Sequence, residues 1–509
     1  LFTFLSANRH IIRYFLVVSL VLETVDLNKQ NMMKQNLTKL FLNRSLYAFV
    51  WGIVLTLSAS GQNLPTATAT ASAMTMGWNL GNTLEATGGE TNWGNPLTTQ
   101  KLIDSVKAAG FNTIRIPCSW DQYANQTTHV IDATWMARVK AVVDYCVKDN
   151  LYVILNIHWD GGWLENNCTQ AAQASVNVKQ NSYWTQIATT FKSYDGHVLF
   201  ASANEPAVAD ATQMSVLLSY HQTFINAVRA TGGNNSSRVL IVQGPSTDIS
   251  KTNTLMNTMP TDVITNRLMV EVHYYTPYNF CLMTADADWG KQFYYWGKGH
   301  HSTTDIAHNP NYDEEAELDN NFQLMKAKFV DKGIPVIIGE FGAIKRDTLK
   351  GTALALHISS REYFYNYLVK SASCHGLVPV YWDAGFIGVN SFTLLNRTTG
   401  AIVDKGAVNA LKNGLNCGKG IVTDLEEADV QNNEILLFPN PFSSSFQLKI
   451  ERPEQINRIT VVDMLGNIVE IKEQGLTDSF TLGSSLPAGL YSVQVHSASN
   501  THSFKVIKK

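Results

Sequence analysis

Between Met74 and Asp383, short apolar runs alternate with stretches of helical periodicity. That rhythm commits the segment to β/α units around a parallel sheet. Eight runs can be counted: Met76–Leu80, Thr113–Ile116, Tyr152–Ile157, Val198–Ala201, Val239–Val242, Leu268–Val272, Pro335–Ile338 and Val378–Trp382. Between them Leu102, Ile103, Val106 and Ala109 recur at helical spacing before Gly110, and Met136, Val139, Val143 and Cys146 do so after the capping residue Asp132. Eight units predict a closed (β/α)8 TIM barrel. For the fifth run, periodicity alone does not separate a strand from buried helix.

The flanks read differently. Lys34, Lys39 and Arg44 precede an apolar stretch from Leu46 to Leu57 that ends in Ser58-Ala59-Ser60-Gly61, which predicts a secretory signal over residues 32–61. Its apolar core is shorter than the roughly twenty residues of a membrane span; a second apolar patch, Ile11 to Leu22, leaves a membrane anchor as the alternative. Residues 1–31, upstream of Met32 and Met33, are expected to be sequence without structural meaning. The barrel domain is placed at 62–416. A polar stretch with Asp424, Glu426, Glu427 and Asp429 has no apolar period and predicts a linker over 417–434. The remainder, 435–509, alternates in period two, as in Phe446-Gln447-Leu448-Lys449-Ile450, which predicts a small all-β sandwich.

Charge narrows the partners. With 39 basic and 42 acidic residues the formal net charge is -3, so there is no basic field for nucleic acid. Only 16% of residues are charged, and the surface must be wetted largely by neutral polar groups, which suits a protein that handles neutral polyols. The six cysteines lack the paired spacing of zinc or redox sites. Cys118 and Cys146 are expected as small buried residues, and disulfide connectivity is not readable.

The connection from Tyr274 to about Asp319 is far longer than ordinary loops and carries Tyr275, Tyr278, Trp289, Tyr294, Tyr295 and Trp296, so it is expected to form a wall of a binding cleft. The acids Asp313, Glu314, Glu315, Glu317 and Asp319 lead into Phe322, Leu324 and Met325. They are better placed at a helix N-terminus than around a cation.

In an eight-stranded barrel the C-terminal strand ends share one face, so residues remote in sequence converge there. The apolar runs end near Arg115, His158-Trp159, Asn204-Glu205, His273-Tyr274-Tyr275, Glu340 and Trp382. Two of these are carboxylates, Glu205 in Ala203-Asn204-Glu205-Pro206 and Glu340 in Gly339-Glu340-Phe341-Gly342. Cleaving an acetal between sugars requires one carboxyl group to protonate the departing oxygen and another to meet the developing oxocarbenium ion. A surface salt bridge is the ordinary use of a glutamate; a pair at the ends of strands four and seven departs from it.

Gly77-Trp78-Asn79-Leu80-Gly81-Asn82-Thr83-Leu84-Glu85-Ala86, Trp93-Gly94-Asn95-Pro96 and Ile114-Arg115-Ile116-Pro117 resemble the endoglucanase branch of family 5 glycoside hydrolases, and the similarity spans about Met74 to Asp383. The resemblance implies a retaining enzyme with Glu340 as nucleophile, Glu205 as acid/base, and Arg115, His158, Asn204, His273, Tyr275 and Trp382 in the family's remaining shared positions. Repulsion between the two carboxylates, together with desolvation, is expected to raise the pKa of Glu205. Arg115 would hold Glu340 ionised through paired N–H donors, and Asn204 would bond the sugar 2-hydroxyl. His158 and His273 would orient the acid and contact sugar, and Tyr275 would donate to Glu340. Trp382 offers a face for a pyranose; Asn79, Trp93, Trp159 and Trp289 are further substrate-binding candidates, and Trp78 and Trp163 are weighed between platform and core. Related sequences often carry a second histidine where this chain has Trp159. No metal and no cofactor is implied; Gly88-Gly89 and Gly161-Gly162 read as loop hinges rather than phosphate cradles.

In the tail, Leu437-Phe438-Pro439-Asn440-Pro441-Phe442, Val462-Asp463-Met464-Leu465-Gly466-Asn467 and Leu486-Pro487-Ala488-Gly489-Leu490-Tyr491 resemble the type A sorting domain of type IX secretion in Bacteroidetes. A carbohydrate-binding module is the competing reading, but the segment has no tryptophan. The combined expectation is a monomeric endo-β-1,4-glucanase, exported through the periplasm to the surface or medium. Its partners would be a β-glucan and, through the tail, the secretion machinery. A β-mannanase, a transglycosylase and a non-catalytic polysaccharide receptor are the alternatives.

Overall fold

A strand in a parallel barrel has two sides to bury, one toward the interior and one toward the helices. The computed structural model describes residues 64–415, 417, 435–450, 456–463, 467–473, 479–497 and 501–509, and both sides are filled as the alternation requires. The expected signal, the upstream segment and most of the expected linker lie outside the described residues. Strands β1 (Gly77–Leu80), β2 (Thr113–Ile116), β3 (Tyr152–Asn156), β4 (Val198–Ala201), β5 (Leu240–Gln243), β6 (Leu268–Tyr274), β7 (Val336–Phe341) and β8 (Leu377–Asp383) form a closed barrel in sequence order. β1 pairs in parallel with both β2 and β8, closing the ring. The ambiguous fifth run is therefore a strand.

Toward the N-terminal end the interior is apolar: Ile154, Leu199, Ala201, Ile241, Met269, Ile337, Val378 and Val380 pack together. Ala67 and Met74 join them, so the helix Ala67–Ala73 covers this end of the barrel. The alternate residues Val153, Leu155, Phe200, Val270 and Ile338 face outward and pack with helix residues such as Val139, Trp184, Phe224 and Phe364. One step further along the strands the inward positions turn polar. Asn79, Arg115, Asn156, Gln243 and Glu271 are all fully buried, and they form the floor on which the site stands.

Two backbone features of β7 serve that floor. A β-carbon on Gly339 would lie 2.0 Å from Glu271 Oε1, so only glycine lets the strand pass beside the buried carboxylate. The β6/β7 register also shifts here: Val272 pairs with Ile338 but His273 pairs with Glu340. This irregularity sets the histidine level with the second carboxylate.

Helix ends follow the expected chemistry. Asp132 accepts from Trp135 N at 2.9 Å, and Glu315 and Glu317 occupy the first turn of the helix Glu315–Lys328. The acids before that helix also anchor the long connection, because Gly297 N donates to Glu314 and Lys298 N to Glu315. Buried Arg346 donates to the carbonyls of Met283, Asn279 and Phe293 and ties the same connection to the end of β7. Tyr295 and Trp296 are buried within it, whereas Tyr278 and Trp289 are exposed.

The tail forms two antiparallel sheets. One has three strands in the order β13 (Ser479–Leu482), β10 (Phe446–Ile450), β9 (Ile435–Phe438). The other has four, in the order β12 (Ile468–Lys472), β11 (Ile456–Val462), β14 (Gly489–Ser497), β15 (Thr501–Lys508). Their alternating residues Phe446, Leu448, Ile450, Ile459, Val461, Val493 and Val495 share one core. This unit is separate from the barrel by its own contacts. No described helix is long and apolar enough to cross a membrane.

Cys374, at the end of the helix Gly351–His375, is bonded to Cys417. Cys118, Cys146, Cys168 and Cys281 are free and buried. A bridge across a separation of 43 residues removes chain entropy worth about 4 kcal/mol from the unfolded state. A Cys374→Ser, Cys417→Ser variant is therefore expected to unfold at a clearly lower urea concentration than the oxidised barrel. An unchanged midpoint would show that the bond contributes nothing.

Candidate active site

The buried guanidinium of Arg115 organises the C-terminal face of the barrel. Its Nη1 donates to Glu340 Oε1 at 2.9 Å and to Asn79 Oδ1 at 3.0 Å, and its Nη2 donates to Asn204 Oδ1 at 2.7 Å. Its Nε lies 2.8 Å from Glu271 Oε1. The expected fork onto Glu340 alone is not what forms: the guanidinium spreads its donors over four side chains, because the inward positions of neighbouring strands surround it. Tyr275 completes the setting of Glu340 by donating to Oε2 at 3.1 Å. Burial and the nearby carboxylates hold the Tyr275 phenol well above its usual pKa, so it stays a donor.

Glu205 is held from the other side. Its Oε1 lies 2.6 Å from His273 Nδ1 and 3.5 Å from Thr247 Oγ1. Its side chain is 44% exposed against 8% for Glu340. His273 also approaches Glu271 Oε1 at 3.3 Å through Nε2, and Glu340 Oε2 at 3.8 Å. Burial disfavours the charged ring, but Glu340, Glu205 and Glu271 around it outweigh burial and raise its pKa to about 10. His273 is thus an imidazolium at neutral pH.

That charge reverses one expectation. Desolvation does push Glu205 upward, but the hydrogen bond and charge of His273, with Arg115 behind them, bring its pKa below the ordinary carboxylate value. Glu340 shifts the other way, because burial outweighs the attraction of His273 and Arg115. The sequence expects the proton on Glu205; the carboxylates around His273 favour it on the imidazole, at the far end of a short bond.

One His273 nitrogen and one carboxylate oxygen each from Glu205 and Glu340 lie within 4.8 Å of one another. Three such atoms have the outline of a cation site, yet a ring held protonated by carboxylates offers donors rather than lone pairs.

His158 stacks parallel on Trp382, with ring centroids 5.9 Å apart and planes at 12°. Burial, Arg115 and His273 keep His158 well below the usual histidine pKa, so it is neutral. The half-buried Trp382 ring is backed by Gly81, where a β-carbon would lie 2.9 Å from Cζ2. Trp93, Trp159 and Trp289 are 46%, 44% and 68% exposed on loops beyond the strand ends. Trp289 lies near Tyr278, with ring centroids 6.1 Å apart, and lines a cavity of about 740 Å³ with Asn279, Phe293 and Tyr312.

Trp78 and Asn79 are buried away from solvent. Asn79 is fully buried and spends its amide on Gly339 O and Tyr381 O, so it supports Arg115 instead of meeting substrate. Trp78 is buried, donates to Asp383 and lies under Arg397. Trp163 packs edge-on against Tyr183.

Several functional neighbours carried little local signal. Glu271 interrupts the apolar run of β6 at an inward position, which is a readable clue. Glu165 accepts from Glu205 N at 2.7 Å, and Asp160 accepts from Trp120 N and Asp121 N; neither is marked by pattern. Gly161 and Gly162, with φ of 75° and 73°, provide the turn that leads to Glu165.

Residues 79–387 match the family Cellulase (glycosyl hydrolase family 5), and residues 436–509 match the Secretion system C-terminal sorting domain. The chain is 39% identical to a xyloglucan-specific endo-beta-1,4-glucanase of Bacteroides ovatus over 360 residues, covering 67% of this chain and 69% of that protein. It is 35% identical to Endoglucanase A of Paenibacillus barcinonensis, covering 70% and 92%. A xyloglucan-specific beta-1,4-glucanase from a ruminal metagenomic library, solved in complex with the oligosaccharide XXLG, superposes with a TM-score of 0.65 at 42% identity. That alignment covers 69% of this chain and 96% of the other.

The charge network has a consequence for stability. A folded-state pKa near 10 against an unfolded value of about 6.5 means that His273 contributes fully below pH 6.5 and loses its contribution as pH rises toward 10. Glu271→Gln removes one of the three carboxylates, leaves Arg115 with less compensation, and is expected to cost about 3 kcal/mol. Its alkaline loss of stability should begin at lower pH than in the unaltered protein. Urea unfolding between pH 6 and 10 checks both; identical pH dependence in the two proteins would contradict the assigned coupling.

Proposed function

The chain belongs to glycosyl hydrolase family 5 and is an exported glycoside hydrolase with a C-terminal sorting domain; on that premise we propose that it is a retaining endo-β-1,4-glucanase. Glu340 is the nucleophile and Glu205 the acid/base. The observation that carries this reading is the close approach of the two carboxyl groups, each with an oxygen in a cluster spanning 4.8 Å. Retaining glycosidases hold such groups about 5 to 5.5 Å apart, and inverting ones about 6.5 to 9.5 Å, to leave room for water.

The first step joins Glu340 to the anomeric carbon while the glycosidic oxygen leaves. Arg115 and Tyr275 orient the two Glu340 oxygens, so one lone pair is aimed at carbon. The leaving oxygen takes a proton from the Glu205–His273 pair, across the 2.6 Å bond. His273 thereby supplies the proton that Glu205 presents. In the second step water attacks the glycosyl ester, and the pair, now a proton short, acts as base. Asn204, fixed by Arg115 at 2.7 Å, is placed beside the acid to bond the 2-hydroxyl.

The substrate is a neutral β-1,4-glucan chain, with xyloglucan included. Trp382 provides the stacking face, backed by His158. The exposed Trp93, Trp159 and Trp289 supply apolar surface for further sugars.

Purified protein is expected to cleave xyloglucan, lichenan and carboxymethylcellulose to oligosaccharides, with products of retained anomeric configuration by NMR early in the reaction. Glu340→Ala should abolish turnover. Glu205→Ala should lower kcat/KM by about 10² to 10⁴ on aryl cellobiosides with poor leaving groups and far less on activated ones, where the lost base shows instead as a lower kcat. Inverted products would refute Glu340 as nucleophile, and exclusive cleavage of mannan would refute the glucanase assignment.

A further inference from the structure

Glu165 begins the short 3-10 turn Glu165–Asn167, and it is 4% exposed. Segment Glu205-Pro206-Ala207 has two amide N–H groups, since proline has none, and both are bound by Glu165. Glu205 N donates to the carboxylate Oε1 at 2.7 Å, and Ala207 N donates to the backbone carbonyl at 2.9 Å. The Asn204 side chain also favours the ionised form of this carboxyl, while its oxygen accepts from Arg115. The turn is itself held. Asn167 donates to Gly162 O and Trp163 O, and Tyr220 OH donates to Asn167 O at 2.8 Å. Tyr220 belongs to the long helix Ala211–Ala230, so the bracket behind Glu205 rests on the helical shell.

The titratable groups facing Glu165 are Glu205 and Glu340, with Cys168 on its own turn. Burial raises the Glu165 pKa to about 7, and the charges of Glu205 and Glu340 push in the same direction.

We propose that Glu165 is a positioning residue for the acid/base: its carboxylate fixes the backbone from which Glu205 projects, and its negative charge strengthens the hold of the Glu205–His273 pair on their shared proton. This rests on the reading of Glu205 as acid/base. His273 and Arg115 draw the Glu205 proton away; an ionised Glu165 acts against them from the opposite side.

The test compares Glu165→Ala, Glu165→Gln and Glu205→Ala in the full chain, with phenyl and 2,4-dinitrophenyl β-cellobioside as substrates. Glu165→Ala is expected to lower kcat/KM at least about tenfold on the phenyl glycoside, through kcat rather than KM, with kcat/KM on the dinitrophenyl glycoside nearly spared because its leaving group needs no proton. Glu165→Gln retains an oxygen that accepts from Glu205 N, and should recover most of the kcat lost in the alanine variant. Without the charge, however, the alkaline limb of its kcat/KM profile should move to lower pH by about half a unit or more. An equal loss of kcat/KM on both glycosides in Glu165→Ala, or an unmoved limb in Glu165→Gln, would overturn the proposal. Should Glu165→Ala fail to fold by circular dichroism, the limb in Glu165→Gln decides alone. If Glu205→Ala itself spares the phenyl glycoside, the acid/base assignment fails first, and the two failures are told apart.

Discussion

A guanidinium with no solvent exposure sits inside a barrel whose lower half is hydrocarbon. Removing such a cation from water costs several kcal/mol unless its charge and donors are met nearby. Arg115 is met by Glu340 and Glu271 for charge and by Asn79 and Asn204 for hydrogen bonds. Each partner comes from a different strand or strand end, so the cation can be solvated only when the barrel is closed in one register. Its satisfaction and the geometry of the site are therefore the same requirement.

Other features follow from it. Glu271 needs room, which is why β7 passes it at a glycine. Two carboxylates close to one cation leave negative charge in excess, and His273 takes up a proton in response. The register shift between β6 and β7 puts that imidazolium level with Glu340 and within reach of Glu205. The exposed tryptophans depend on none of this. They stand on loops beyond the strand ends, where length and sequence vary without disturbing the floor.

The barrel was legible because its period is short and repeated: one misjudged run would not have hidden the other seven. Glu205, Glu340, Arg115, His158, His273, Tyr275 and Trp382 were legible as positions, since each stands where an apolar run stops, and the structure brings them to one face. Their partners were less so. Nothing local in Glu165 says that it will accept the amide of a residue forty positions away. Asn79 was misread because a polar residue at a strand end has two fates, groove or floor, and the choice depends on strands that the sequence places hundreds of residues apart. The direction of the Glu205 shift escaped the sequence for a related reason. Repulsion between two carboxylates is predictable from their types, but the pull of His273 depends on a 2.6 Å contact that only the folded chain specifies.

On the proposed mechanism, that contact also keeps the buried charge constant. At rest Arg115 and His273 oppose Glu205, Glu271 and Glu340, which leaves one net negative charge. When Glu340 becomes an ester its charge disappears, and at the same moment the Glu205–His273 pair gives its proton to the leaving group. One cation still faces two carboxylates, so the net charge is again minus one. Hydrolysis reverses both changes together. A floor shut off from water strongly penalises any step that changes its total charge, and this cycle contains none. It also accounts for the unequal exposure of the two acids: Glu205 exchanges its proton with an oxygen in the groove, whereas Glu340 meets only a carbon and is served better by a rigid, dry seat.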